Sequence, residues 1–388
     1  MVTADQAASL KDLIINSADK LGIDKIGFAG AEPFCDWRKT LESQKVKGYT
    51  TGFEHPIIEE RLNPQLIMPE AKSFIAIALA YPSRPGYSVP QDKEDRRGSF
   101  ARASWGVDYH HILRERLDRL RQLIMEHLPQ AECMAMVDTG PFMDVAVAER
   151  AGLGFIGRNS LLITPEFGSY VYLGELLTNI PFVADQPIPN GCGDCVRCIR
   201  SCPTQALLGD GTMNGQLCLS YQTQTKGHLG LAFRRKISHV IYGCDICQLT
   251  CPYNQGLDFH LHSEMEPVKE QVHPSLKPML TLSNHDFKQQ FGHLAGSWRG
   301  KKPLQRNAIM ALANYRDQTA LPLILELIEK DPRPVIRASA AYAVSMIQRT
   351  YNQAMIDLIV AQLAKETDPK TIEEMKQAIQ RLQTKKEV

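Results

Sequence analysis

Apolar residues in the first half of the chain come in short, strand-length runs separated by stretches with helical spacing. Residues 10–21 predict an amphipathic helix, followed by a strand in KIGFAG. SFIAIALAYP at 73–82 is an unbroken apolar run closed by proline, which predicts a buried strand. A basic loop with Gly and Ser then leads to a predicted helix over 112–128 and a strand in CMAMVD at 133–138. TGPFMDVAVAERAG reads as a turn and helix, and NSLLIT and SYVYLGELLTN as further strands. This alternation through about residue 180 predicts a mixed α/β or α+β domain. From 303 onward the pattern is helical throughout and echoes itself. Ala308, Ile309, Ala311 and Leu312 match Ala340, Ala341, Ala343 and Val344 at a constant offset of 32, and DP at 331–332 and 368–369 marks helix–helix corners. Such a period predicts HEAT-type helical pairs stacked into a solenoid, against the alternative of a plain helical bundle.

GLGFIG at 152–157 fits a dinucleotide fingerprint, but the order around it is helix then strand, the reverse of what that site needs. A Rossmann site is therefore excluded. At 388 residues the chain has room for two or three domains, and 44 Lys plus Arg against 43 Asp plus Glu give no global steering toward nucleic acid or membrane. The first twenty residues carry acids and lack an apolar core, so no signal peptide is expected, and FIAIALA at 74–80 is too short to span a bilayer. The expectation is a cytoplasmic protein without membrane association, whose cysteines are ligands or thiols rather than disulfides.

Those cysteines carry the chemistry. CGDCVRCIRSCP places Cys192, Cys195, Cys198 and Cys202 at the C-x2-C-x2-C-x3-C-P spacing of bacterial ferredoxins, in which three cysteines hold one iron–sulfur cluster and the fourth reaches to a second. YGCDICQLTCP repeats the last three positions with Cys244, Cys247 and Cys251, and Ile241 stands where the first would be; Cys218 supplies the missing thiolate. The crossing rule assigns Cys192, Cys195, Cys198 and Cys251 to one [4Fe–4S] cluster and Cys202, Cys218, Cys244 and Cys247 to the other. Two structural zinc sites are the alternative, although zinc ribbons do not call for this spacing. Cys35 and Cys133 are expected to be ordinary buried or partly buried thiols.

Other candidates carry two readings each. Asp108, Tyr109, His110 and His111 stand at a helix start, as a metal or acid–base group or as a capping aspartate with solvated histidines. Asp108–Tyr109–His110 begins a corrinoid-ligand pattern, but Leu113 replaces its glycine, so that pattern is not credited. Asp138 ends a strand before a turn, where a carboxylate serves as a general acid or merely bonds its own backbone. Trp298, Arg299, Lys301, Lys302 and Arg306, with Arg333 and Arg337 one repeat on, suit a phosphate backbone and a stacked base, or else form a solvated charged face.

RASWGVDYH, MVDTGPFMDVAVAERAGLGFIGRNSLLI, CGDCVRCIRSCPTQAL, CLSYQTQTKG, YGCDICQLTCPYN and GSWRGKKPLQRNAI, in this order across nearly the whole chain, together resemble the epoxyqueuosine reductase family. The resemblance implies an α+β architecture: a cobalamin-binding catalytic domain over 1–180, a ferredoxin-like module with two [4Fe–4S] clusters over 181–275, and an all-α HEAT-like tRNA-binding domain over 276–388. It implies reduction of epoxyqueuosine to queuosine at the wobble position of tRNA, with electrons relayed through the clusters to base-off cobalamin and Asp138 as proton donor. It also implies that Arg61, Ala101, Asn159, Ser160, Tyr170, Gln222, Thr223, Gln224 and Thr225 lie near the corrin. A monomer fed by an external reductase, flavodoxin or ferredoxin completes the expectation. The rivals are a reductive-dehalogenase-like corrinoid reductase and a ferredoxin-type electron-transfer subunit.

Overall fold

The computed structural model describes residues 2–89 and 92–385. Its backbone contacts divide the chain into two compact units that interleave in sequence: Met1–Arg84, Val107–Cys218 and Asp245–Glu266 in one, and Pro85–Gly106, Leu219–Cys244 and Pro267–Val388 in the other.

The first unit is built on a four-stranded sheet in the order Lys25–Gly30, Ser73–Ala80, Val171–Thr178, Cys133–Met136, every pair antiparallel. The apolar run at 73–80 is buried at every position, as a central strand covered on both faces must be. Helix Asp144–Arg150 packs Ala146, Val147 and Ala148 with Phe74, Ala76 and Leu177 of the sheet. It approaches so closely that a Cβ on Gly27 would lie 2.2 Å from the Ala151 carbonyl oxygen. Leu113 and Leu117 of helix Tyr109–His127 settle over Gly174 in the strand Val171–Thr178.

Helix starts are set by caps more than by periodicity. The first helix runs Ala4–Ser17 rather than 10–21, because Thr3 and Gln6 form a reciprocal capping box. The long helix begins at Tyr109 rather than 112, because the Asp108 carboxylate accepts from the His110 amide at 3.0 Å. Around GLGFIG the order is helix Asp144–Arg150 and then the hairpin Phe155–Ile156 with Leu162–Ile163, which bears out the exclusion of a dinucleotide site.

The second unit is dominated by helices Lys301–Tyr315, Leu321–Lys330, Pro334–Ile347, Gln353–Leu363 and Pro369–Gln383. All eight residues of the 32-residue echo are 0% exposed, so the sequence repeat is a repeat of packing positions. The DP corners fall as expected: Asp331 closes helix Leu321–Lys330, and Asp368 caps the last helix by accepting from the Thr371 amide at 2.8 Å. No helix among the described residues is long and apolar enough to cross a membrane.

Candidate functional site

Four of the eight motif cysteines surround one space. Cys192, Cys195, Cys198 and Cys251 line a cavity of about 130 Å³ together with Arg158, Asn159, Ile163 and Tyr253. This is the set that the crossing rule assigns to one cluster. A turn in which the Cys195 amide bonds the Cys192 carbonyl at 3.0 Å, followed by helix Arg197–Ser201, wraps the first three thiols around the space. The fourth is brought in by a bolt of buried amides. Asn254 donates to the Ser169 hydroxyl at 2.8 Å and the Gln248 carbonyl at 2.9 Å, and its own oxygen accepts from the Ser169 amide at 2.8 Å. The neighbouring Gly168, at φ 56°, leaves room that a side chain would take: a Cβ there would sit 2.0 Å from the Asn254 oxygen. Burial pushes the Cys198 and Cys251 thiols up, and their neighbouring cysteines add to it, a repulsion that a cationic iron–sulfur core relieves. In Cys202 burial is outweighed by hydrogen bonds at the sulfur, from the Ala206 amide at 3.3 Å and the Thr204 side chain, which hold this thiol below its ordinary value. Of the other four motif cysteines, Cys202, Cys218 and Cys247 belong to the first unit and Cys244 to the second. Cys133 is half-buried as expected, whereas Cys35 is exposed, because its short turn Cys35–Trp37 lies at the surface.

Asp138 follows the strand Cys133–Met136 in a left-handed conformation, φ 52°. Its carboxylate meets the His110 Nε2 at 3.2 Å, and the other ring nitrogen, Nδ1, meets Asp108 at 2.7 Å. One imidazole thus joins two carboxylates. Burial alone would lower the His110 pKa, but the two acids outweigh it and raise it to about 9. The hydrogen bond from His110 holds the Asp138 carboxyl below the usual range. The proton therefore resides on the imidazole at neutral pH, and Asp138 is held as the carboxylate beside it. Asp108 is the helix cap, as one reading of the sequence has it, but His110 is a bridge rather than a solvated side chain. The signal for this bridge was the Asp-x-His spacing, which lets a cap bond the ring two residues on. His110 stacks on Tyr109 (4.2 Å between ring centroids), Tyr109 on Tyr172 (4.5 Å), and Tyr172 packs on Tyr81 (4.5 Å).

Two of the residues expected near a corrin each carry a buried polar atom without a partner among the described residues. Asn159 is 4% exposed with its Nδ2 lacking a hydrogen-bond partner among the described residues, and the Ser160 hydroxyl, in a left-handed turn at φ 66°, lacks one too. Buried polar atoms are rarely left so unless something outside the protein satisfies them. Asn159 also lines the cysteine cavity, so this unfilled demand adjoins the cluster site. Tyr170 is 3% exposed and edge-on to Tyr81 at 5.7 Å. Arg61 lies in helix Ile58–Leu62, its pKa lowered by burial.

In the second unit, Ala101 backs on Gly243, whose added Cβ would lie 2.4 Å from the Ala101 methyl. Gln222–Thr225 is clamped from the repeat helix, and here the expectation for Arg306 is corrected. Arg306 is 0% exposed, and its guanidinium donates to the carbonyls of Gln222 (3.0 Å), Thr223 (3.3 Å), Thr225 (2.8 Å) and Gly227 (2.6 Å), so it is unavailable to a phosphate. Trp298 and Arg299 brace the same segment: the indole donates to the Gln224 side chain at 3.0 Å and Arg299 to the Gln224 carbonyl at 3.2 Å. Trp298 nonetheless stays 52% exposed under the Arg299 guanidinium, 4.7 Å from its ring. Arg337 is corrected as well, because it is paired with Glu366 at 2.7 and 2.8 Å and its side chain is only 12% exposed. Arg333 is likewise held by Asp331 at 2.6 Å. Lys301 donates to the Leu282 carbonyl at 2.6 Å, and Lys302 is half-buried at the start of the repeat.

An α+β unit carrying an Asp–His–Asp hydrogen-bonded chain, eight cysteines in the double-cluster pattern and a helical repeat are the features of an iron–sulfur oxidoreductase. Three family models match in chain order: "Epoxyqueuosine reductase QueG, DUF1730" over 61–139, "4Fe-4S double cluster binding domain" over 191–254 and "HEAT repeats" over 299–380. Epoxyqueuosine reductases of Listeria monocytogenes (55% identity over 89% of this chain and 90% of the relative) and Bacillus subtilis (50%, 96% and 96%) are similar over nearly their full lengths. The chain belongs to the epoxyqueuosine reductase family. A crystal structure of an epoxyqueuosine reductase with an epoxyqueuosine-modified tRNA-Tyr stem loop superposes with a TM-score of 0.94 at 50% identity, covering 97% of this chain and all of that one (100%). The Bacillus subtilis enzyme with an aspartate catalytic loop swung out of the active site does so equally well (TM-score 0.94, 49% identity, 97% and 100% covered).

Proposed function

We propose that this chain reduces the epoxide of epoxyqueuosine, at the wobble position of tRNA, to the alkene of queuosine. The proposed setting is the cytoplasm, with a monomer taking electrons from an external reductase, flavodoxin or ferredoxin. The observation that carries this reading is the Asp108–His110–Asp138 relay in a chain that also holds the double-cluster cysteines. Turning an epoxide into an alkene takes up two electrons and two protons and releases water. The clusters are one-electron carriers, and His110 with Asp138 is the matching proton supply. Protonating the departing oxygen avoids expelling an oxide into a site of low polarity. In this reading Asp138 touches the substrate oxygen and His110 recharges it.

The unpaired Asn159 and Ser160 groups fit a large polar cofactor beside the cysteine cavity, and with Arg61 and Tyr170 they are the residues we assign to base-off cobalamin. When bound, this cofactor supplies the low-potential metal centre on which the electrons from the clusters are spent. For Ala101, Gln222, Thr223, Gln224 and Thr225 the family resemblance alone supports a corrin-facing role. We further propose three functional segments, catalytic over 1–180, electron-carrying over 181–275 and tRNA-binding over 276–388. The exposed Trp298 with Arg299, Lys301 and Lys302 is the surface that suits RNA, through stacking and phosphate contacts.

The test is to reconstitute the protein anaerobically with iron, sulfide and cobalamin, add a strong reductant and epoxyqueuosine-containing tRNA, and weigh the digested nucleosides. Loss of one oxygen, dependent on cobalamin, is the expected result. An unchanged nucleoside, with both clusters and the corrin verified as bound, contradicts the proposal.

A further inference from the structure

Behind the Asp138 turn lies a second pair of acids for which the relay has no use. Glu175, in the strand Val171–Thr178, is 1% exposed, and its Oε1 has no hydrogen-bond partner among the described residues. Its Cα neighbours across the sheet are Ala76 and Met136, both without charge. Its polar neighbour is Asp144, at the start of helix Asp144–Arg150. The Asp144 Oδ2 in turn accepts from the backbone amide of Asp138 at 3.2 Å. We propose that Asp144 and Glu175 are positioning residues for Asp138: a hydrogen-bonded carboxyl pair that pins the Asp138 amide and so holds the left-handed turn that presents its side chain to His110.

The charges acting on this pair are acidic. Asp138 faces it from the turn, and the cation bonded to Asp138, His110, is shared with Asp108. Two buried carboxyls in contact cannot both ionise, so the pair keeps a proton between them. Burial and the Asp144 charge push Glu175 well up, while burial and the Asp138 charge raise Asp144 to about 7 against the hydrogen bond it accepts from Glu175. Glu175 is thus a neutral acid donating to Asp144, and Asp144 is free to accept from the Asp138 amide. A glutamine at 175 offers the same donor without a titrating proton, whereas an alanine at 144 removes the acceptor.

This inference rests on Asp138 being the proton donor, and its test reads the turn separately from the chemistry. Amide hydrogen exchange at Asp138, corrected for intrinsic rate, is measured by mass spectrometry in the reconstituted enzyme and its variants. In Asp144→Ala the Asp138 amide exchanges about tenfold faster, the loss of one hydrogen bond, and kcat falls by a similar factor with KM unchanged. Glu175→Gln keeps both near wild type. If Asp144→Ala does not fold, the wild type decides alone: an Asp138 amide exchanging at its unprotected rate overturns the clasp. Unchanged exchange in Asp144→Ala, or Glu175→Gln as impaired as Asp144→Ala, overturns it too. Faster exchange with unchanged kcat leaves the clasp intact and refutes Asp138 as the donor.

Discussion

Replacing His110 by glutamine removes the proton store and leaves Asp138 in place. A rise from 6.5 to about 9 favours the imidazolium by roughly 3 kcal/mol at ~1.36 kcal/mol per pKa unit. Asp108, at 2.7 Å with its side chain 24% exposed, carries the larger part of this. The Asp138 share, across 3.2 Å to a side chain 58% exposed, is screened to about 1 kcal/mol. Because the folded-state pKa is raised, the charged imidazole and the stability it brings are fully present below 6.5 and are lost as pH rises through about 9. Wild-type kcat for the loaded enzyme is therefore flat near neutrality and falls above about pH 9. In His110→Gln, Asp138 returns toward the ordinary carboxylate range, so kcat falls from about pH 4–5 upward. At pH ~8 it is about 10²-fold below wild type, the lower end for loss of a general acid. The assay is nucleoside conversion in a stopped time course across this range, with iron and corrin content matched between proteins. A His110→Gln profile that superimposes on wild type refutes the relay.

The remaining predictions follow from the other contacts. Cys251→Ala empties one side of the four-cysteine cavity, so iron per chain drops to about half, measured after reconstitution; full iron content contradicts the assignment. Arg306→Met removes a donor from four carbonyls, of which Gln222 and Thr223 keep a second donor in Thr225 Oγ1 and Asn307 Nδ2 while Thr225 and Gly227 lose theirs, and costs on the order of 3 kcal/mol, with Arg306→Lys intermediate because an ammonium offers fewer donors; an unchanged thermal midpoint in the methionine variant contradicts the clamp. Lys302→Ala weakens tRNA binding and lowers the slope of log Kd against log salt by about 0.7, one single-strand phosphate contact; an unaltered slope removes Lys302 from the RNA surface.

The convergence of Cys192, Cys195, Cys198 and Cys251 was legible in the sequence, because two-residue gaps turn successive thiols toward one space and the repeated motif supplies the fourth. The repeat was legible for a similar reason, since small residues at offset 32 must be buried for helices to approach. Arg306 was not legible. A cation between Gln305 and Asn307 reads the same whether it faces solvent or four carbonyls that arrive from residues 222–227. His110 was half legible, since its bond to Asp108 is local while its bond to Asp138 spans 28 residues and exists only once the helix and strand pack. Arg337 misled in the same way, because its partner Glu366 lies 29 residues on, near the next corner of the solenoid.

The most direct measurement is a single turnover of Asp138→Asn against wild type, both with two clusters and cobalamin verified, on epoxyqueuosine-containing tRNA. The amide keeps the size and the bond to His110 but has no proton to relay. The account predicts that the variant binds tRNA and both cofactors normally while oxygen loss from the nucleoside slows by at least about 10²-fold. Conversion at the wild-type rate would contradict it.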